Sequence, residues 1–263
     1  MGIYRIKIYK LILKNMKRIL CILCLLSVVG ITAQNNKTTS KQTNQPAEKK
    51  IGIKDFFLML PDSIFEKGDC ILKLKDRKEM LKTIGQTIEG PKGNYLPYIN
   101  VCDPQNGYLS VLYYSIDDGI NQICYWNLKD GRKLVGVNRH QGFGTLSFYI
   151  YENGKLKDGS SYMPDTQNIQ VSDFFDTSRL NAKEKKTLQD IFKNRIVFRY
   201  VLPRKGKSIE MCIGFPVQDM EYETMFDEAG LGDKIVYKHI VFKWVDEKWI
   251  KEVHKGEGTK LVP

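Results

Sequence analysis

Between Tyr108 and Gly154 short runs of strand-forming residues alternate with pairs in which aspartate or asparagine precedes glycine. This punctuation limits the fold more than any other feature. The runs Tyr108 to Ser115, Ile120 to Leu128, Lys133 to Asn138 and Thr145 to Tyr151 are parted by Asp118-Gly119, Asp130-Gly131 and a glycine-flanked bend, then closed by Asn153-Gly154. Such pairs accept the left-handed backbone of the tight turns that join neighbouring antiparallel strands, so the spacing predicts a meander. In the last run Leu146, Phe148 and Ile150 alternate with Thr145, Ser147 and Tyr149, which predicts one buried face and one wetter face. A second series follows at Ile196 to Leu202, Ser208 to Phe215, Ile235 to Trp244 and Trp249 to Val253. Its turns fall at Lys205-Gly206 and at Asp246-Glu247-Lys248, the latter flanked by Trp244 and Trp249.

Each series is preceded by a similar opening. Lys54-Asp55-Phe56-Phe57 and Ser172-Asp173-Phe174-Phe175 both lead into a charged helical segment. Asp76 with Glu79, and Asn181 with Glu184, have the spacing of a reciprocal cap on a helix start. Met80, Leu81, Ile84 and Ile88 would share one face of the first helix, and Leu188, Ile191 and Phe192 one face of the second. The predicted class is α+β, mainly antiparallel β meanders with two packing helices. Two arrangements stay open: two similar helix-then-meander lobes, 51–165 and 166–263, or a single domain with one larger sheet.

Residues 1–33 hold six bases and no acid and end in an apolar run from Ile19 to Ala33, which reads as a signal peptide. The run is shorter than the roughly 20 residues a membrane-crossing helix needs, and Thr32-Ala33 before Gln34 offers a small-residue cleavage site. Met16 followed by Lys17 and Arg18 would serve as an alternative start. The bulky Leu20 and Leu23 ahead of Cys21 and Cys24 argue against a lipid anchor. Residues 34–50 contain one alanine and no larger apolar side chain, and read as a flexible linker. The expected location is periplasmic or extracellular, with no permanent membrane attachment after cleavage.

The formal net charge of +11 suggests a nucleic-acid partner until it is divided along the chain. Leader and linker carry most of it, leaving 31 bases and 29 acids from Ile51 onward. A nearly neutral body does not announce the clustered basic face that displaces counterions from phosphates, so nucleic acid is excluded. Four cysteines follow the leader: Cys70, Cys102, Cys124 and Cys212. An exported chain can pair them in three ways or keep them as small buried thiols, and their spacing does not suit zinc.

Chemistry-bearing motifs are scarce. There is no Gly-x-Ser-x-Gly turn, no glycine-rich phosphate loop, no His-Glu-x-x-His and no cofactor fingerprint. Of three histidines, His140 draws attention because Asn138-Arg139-His140-Gln141-Gly142-Phe143-Gly144 reads as a polar link in which glycine lets a backbone approach a ligand. Cys212 falls opposite Ile209 and Met211 by alternation, which predicts partial exposure. The stretch from Asp219 to Glu228 carries five acids and no base around Tyr222, Met225 and Phe226. It lacks the ligand spacing of a calcium loop and reads as a solvated loop able to meet a basic partner. Aromatics crowd the first meander, Tyr149 and Tyr151 among them, and such a row can stack on sugar rings, dock a protein or fill a core. The candidate contact residues are therefore Arg139, His140, Tyr149, Tyr151, Tyr222 and Phe226, with no catalytic, cofactor or metal residue assigned.

The run Lys54-Asp55-Phe56-Phe57-Leu58-Met59-Leu60-Pro61-Asp62-Ser63, with Asp76-Arg77-Lys78-Glu79-Met80-Leu81 after it, resembles the opening of uncharacterised secreted proteins of Bacteroidetes. The leader ending in Ala33-Gln34 is similar to theirs as well. The resemblance covers about 30 residues of the sequence. It implies export in a Gram-negative cell and brings no activity, substrate or site residue with it. The functional expectation is an exported non-enzymatic module that binds a protein or glycan of the cell envelope. The alternatives are a hydrolase with dispersed Asp and His residues, and a structural or assembly protein of the envelope.

Overall fold

A computed structural model describes residues 50–67, 70–89, 95–113, 119–141, 143–214 and 222–259. The predicted leader, and the linker up to residue 49, lie outside these residues. Helix α1 (Ile53–Met59) begins where Asp55, at its third position, accepts from the Gly52 amide at 3.0 Å. A 3-10 turn (Asp62–Phe65), the ribbon β1 (Glu66–Lys67) with β2 (Cys70–Ile71), helix α2 (Leu74–Met80) and the ribbon β3 (Ile88–Glu89) with β4 (Tyr95–Leu96) complete the N-terminal cover.

The predicted meander then follows. Strands β5 (Tyr98–Asp103), β6 (Tyr108–Tyr113), β7 (Gly119–Asn127), β8 (Lys133–Gln141), β9 (Phe143–Glu152) and β10 (Lys155–Asp158) lie side by side in chain order, each antiparallel to the next. Asn153 and Gly154, both at positive φ, turn β9 into β10 as the Asn-Gly signal requires. After a 3-10 turn at Ser160–Tyr162 come α3 (Val171–Phe174), β11 (Phe175–Asp176), α4 (Ala182–Arg195), β12 (Val197–Val201), β13 (Ile209–Gly214), α5 (Tyr222–Glu228), β14 (Val236–Val245) and β15 (Lys248–Lys255). These strands form a second antiparallel sheet, in the order β11-β14-β13-β12 with β15 also paired to β14. The molecule is α+β and built of antiparallel meanders, as the strand and turn signals indicate.

Both faces of the first sheet are covered. Phe56, Phe57, Leu60 and Phe65 of the N-terminal cover bury Leu109, Val111, Ile123, Val135 and Val137 on one side. On the other side Trp126, Leu134, Leu146 and Phe148 pack against Ile209, Met211, Ile240 and Phe242 of the second sheet. Each fully buried large apolar side chain contributes about 1.5–3 kcal/mol. The expected wetter face of β9 is thus half-buried. Tyr151 packs edge-on to Phe56 at 5.4 Å, and burial pushes the Tyr149 hydroxyl pKa up.

Several local expectations shift. Asp76 does not start α2; the helix begins at Leu74, and Asp76 accepts from the Lys73 amide at 3.0 Å. Ile84 and Ile88 fall beyond its end. Asn181 and Glu184 do form the reciprocal cap, at 3.0 Å and 2.8 Å. The segment from Tyr222 to Glu228 is helical rather than a solvated loop, because Met225 and Phe226 bury against the core. Cys102, Cys124 and Cys212 are free thiols. The alternation that sets Cys212 apart from Met211 holds, yet Cys212 is fully buried because the chain after β15 lies across it, with Gly258 against its sulfur. No helix among the described residues is long and apolar enough to cross a membrane.

Candidate functional site

The sequence-derived contact residues are dispersed. Arg139 lies in β8 and donates to the Ser63 carbonyl at 3.4 Å. His140 and Gln141 continue that strand opposite Gly144 and Phe143, so the expected polar link shrinks to a hairpin. A Cβ on Gly144 would stand 2.9 Å from the Arg199 Cα, so the close approach its glycine permits is taken by the β12 backbone. Tyr149 and Tyr151 pack beneath the N-terminal cover. Phe226 is 2% exposed, between Phe175 and Tyr237, and serves the core instead of the surface. The side chains of His140 and Tyr222 lie outside what is described.

A different set of residues converges at one end of the first sheet. The turn between β5 and β6 brings Gln105, Asn106 and Gly107; the end of β7 brings Tyr125, Trp126 and Asn127; the turn between β12 and β13 brings Pro203 to Ser208; and β14 brings Trp244. Two adjoining cavities result, of about 260 Å³ and about 400 Å³, and Gly206 and Lys207 line both. The smaller is walled by the three aromatics and three carboxamides just named. The larger has Tyr108 and Gln122 among its lining, with Arg204, Lys205, Lys207 and Glu210 supplying its charge.

The chain holds this arrangement firmly. Gln122 is 2% exposed in the middle of β7, where an unpaired carboxamide would be costly. It donates to the Tyr108 hydroxyl at 3.1 Å, and its Oε1 accepts from Asn138 Nδ2 at 3.0 Å and from the Leu202 amide at 3.1 Å. Asn138 Nδ2 also donates to the Tyr200 carbonyl at 2.5 Å. Four residues further along β7, Trp126 Nε1 donates to the Lys207 carbonyl at 3.0 Å. One strand of the first sheet thereby pins both ends of the β12–β13 turn. Arg204 closes the frame by donating to Asp103 Oδ2 at 3.1 Å, and Asn106 donates to the same oxygen at 3.0 Å. Those hydrogen bonds, that of Asn106 first, hold the Asp103 carboxyl below the usual carboxylate range. Burial pushes the Tyr108 hydroxyl up, so it stays protonated at neutral pH.

Gly107 explains why the β5–β6 turn can lie so near Tyr125. Its φ is +66°, and a Cβ there would come within 2.6 Å of the Tyr125 ring. All three tryptophans of the chain meet beside it: Trp126 and Trp249 have ring centroids 5.4 Å apart, and Trp244 and Trp249 4.5 Å. A third cavity, of about 320 Å³, lies between α3 and α4 and offers a single charged side chain, Lys185. The described linings of the three cavities include no histidine, and no cluster of three or more His, Cys, Asp or Glu suited to a metal occurs among the described residues.

What the paired cavities can do chemically follows from their walls. Aromatic faces accept C–H-rich rings, and carboxamides both donate to and accept from hydroxyls. Sequence reasoning noticed the crowding of aromatics in the first meander and Trp244 as a hairpin residue, and missed the convergence of Tyr125, Trp126 and Trp244. One signal was available: Asn121, Gln122 and Asn138 are polar residues that stand beside apolar runs of their strands and prove to be buried.

No family model matches the chain, and no curated protein does. Among solved structures it is similar to a domain of an uncharacterized protein from Porphyromonas gingivalis W83, a member of the Bacteroidetes, at 14% identity and a TM-score of 0.51. The match covers 77% of this chain and 100% of that one. At that identity the likeness is one of fold.

Proposed function

We propose that the protein is an exported, non-enzymatic module that binds a saccharide of the cell envelope in the paired cavities at the β12–β13 turn. The observation that carries this reading is the smaller cavity, where Tyr125, Trp126 and Trp244 meet Gln105, Asn106 and Asn127. Aromatic walls beside neutral donors and acceptors suit a polyhydroxylated ring better than an apolar peptide anchor, which would leave the Gln105 amide unpaired. Among the described residues Gln105 makes no hydrogen bond, so its amide is free to engage a hydroxyl. Rigid placement of the walls limits the ordering cost of binding. Export is supported by the basic, then apolar, leader.

Because every tryptophan of the chain sits at or next to this cavity, tryptophan emission is the natural probe. Titrating the purified protein with envelope polysaccharides is expected to give a saturable emission change. The double substitution Gln105→Ala with Asn127→Ala should weaken binding about tenfold, the loss of one or two net hydrogen bonds. A flat emission response to every saccharide tried, together with unretarded migration in gels containing those saccharides, would overturn the reading.

A further inference from the structure

The larger cavity carries a denser charge pattern than the smaller one, whose single charged lining residue is Lys207. It has three cations, Arg204, Lys205 and Lys207, against one carboxylate, Glu210. Glu210 Oε2 is taken by the Thr259 amide at 2.8 Å, and Arg204 is partly neutralised by Asp103. Lys205 and Lys207 have no carboxylate within ion-pair distance among the described residues. They stand on a turn whose two ends are tied to β7 through Leu202 and the Lys207 carbonyl, so their backbone positions are set before any ligand arrives. From Ile51 onward the chain is almost neutral, so these uncompensated cations do not reflect a general basic excess.

We infer that the ligand is an anionic saccharide, one ring lying on the aromatic and carboxamide walls of the smaller cavity and its carboxylate or sulfate meeting Lys205 and Lys207 in the larger. This rests on the saccharide reading above and adds the sign of the ligand's charge. The two cavities share Gly206 and Lys207 as lining, so neighbouring units of one saccharide chain are placed to meet both. The Tyr108 hydroxyl and the Gln122 carboxamide on the floor add neutral polar groups to that cationic end.

The test compares polygalacturonate, heparin and dextran by isothermal titration with the whole purified protein, at low and at high salt. Binding of polygalacturonate or heparin that weakens with salt, with dextran bound more weakly, is expected; the tighter of the two acidic polymers tells carboxylate from sulfate. The double substitution Lys205→Ala with Lys207→Ala should cut affinity for the acidic polymer about tenfold or more and weaken dextran binding far less, Lys207 also lining the smaller cavity. Both side chains are exposed, and an unaltered melting temperature checks that the variant is folded. Dextran bound as tightly as the acidic polymers, or an unaffected double variant, overturns the charge inference while the saccharide reading stands. Failure of all three polymers to bind overturns both.

Discussion

Helices α1 and α3 open on the same chemistry and are used differently. In α1 Asp55 accepts from the Gly52 amide, and Phe56 and Phe57 are fully buried; in α3 Asp173 accepts from the Gln170 amide at 2.9 Å, and Phe174 and Phe175 are fully buried. Beyond that point they part. α1 runs seven residues and ends against Arg77, whose buried guanidinium donates to the Phe57 and Leu60 carbonyls at 3.0 Å and 2.6 Å and to Asp62 at 2.6 Å. α3 stops after four residues, and its second phenylalanine already belongs to β11, paired with Tyr237 of β14. The comparison separates two causes. An acid at the third helical position and two aromatics after it set the cap and turn both rings inward. How far the helix runs depends on what receives the chain next, a buried arginine in one case and a sheet edge in the other.

The comparison is sharpest where the rings are removed. Phe57→Ala and Phe175→Ala should each cost about 3–5 kcal/mol in urea unfolding, since both create a cavity in a fully buried cluster. A loss below about 1 kcal/mol at either site would show that the two openings are not equivalent in packing. Next in size is Arg77→Ala, which leaves two helix-end carbonyls without their donor and should cost about 1–3 kcal/mol. Its counterpart in the second half, Lys251, pairs with Asp173 at a partly exposed site, so Lys251→Ala should cost only about 0–1 kcal/mol. The opposite ranking in the same assay would break the contrast drawn here.

The smallest effect is in pH dependence. Burial pushes the Cys212 thiol up to about 11, while its ordinary value is 9.0. A folded-state pKa raised in this way gives stability that is fully present below the ordinary thiol value and lost as pH rises through about 11. Near the middle of that interval the loss is about 1 kcal/mol. Thermal melts of Cys212→Ala should fall less steeply with pH over the same interval; an identical slope would mean that the segment after β15 does not shield the thiol.

The two sheets show how far the sequence could be followed. At the hairpin of β14 and β15 Trp244 and Trp249 are half-buried between exposed Lys243 and Val245, and Lys248 and Ile250, so alternation can be followed there. In β6 every residue from Tyr108 to Tyr113 is buried, because helices cover one side and the second sheet the other. Alternation in such a strand no longer separates inside from outside, and Tyr149 and Tyr151 could be taken for an open aromatic strip when they are packed against Phe56 and its neighbours. The candidate site is harder still to find from the chain alone. Gln105, Trp126, Lys207 and Trp244 are spread over 140 positions, and each lies in or next to a turn where polar or aromatic residues are unremarkable. The polar Gln122 and Asn138 were a signal the sequence reading did not use, and the backbone amide and carbonyl they satisfy lie at Leu202 and Tyr200, far along the chain.

Residue order by itself determined the antiparallel meanders, the turns at Asp130-Gly131 and Asn153-Gly154, the cap at Asn181 and the inward direction of the paired phenylalanines. All of these depend on neighbours within a few positions and on backbone conformations that only certain side chains accept. Tertiary structure decided which sheet faces are covered, why Cys212 is hidden, and that β7 holds the β12–β13 turn in place to form two adjoining cavities. Those outcomes depend on contacts between segments about 80 residues apart in sequence, such as Gln122 with Leu202 and Trp126 with Lys207, and no local pattern encodes which distant backbone a buried side chain will meet.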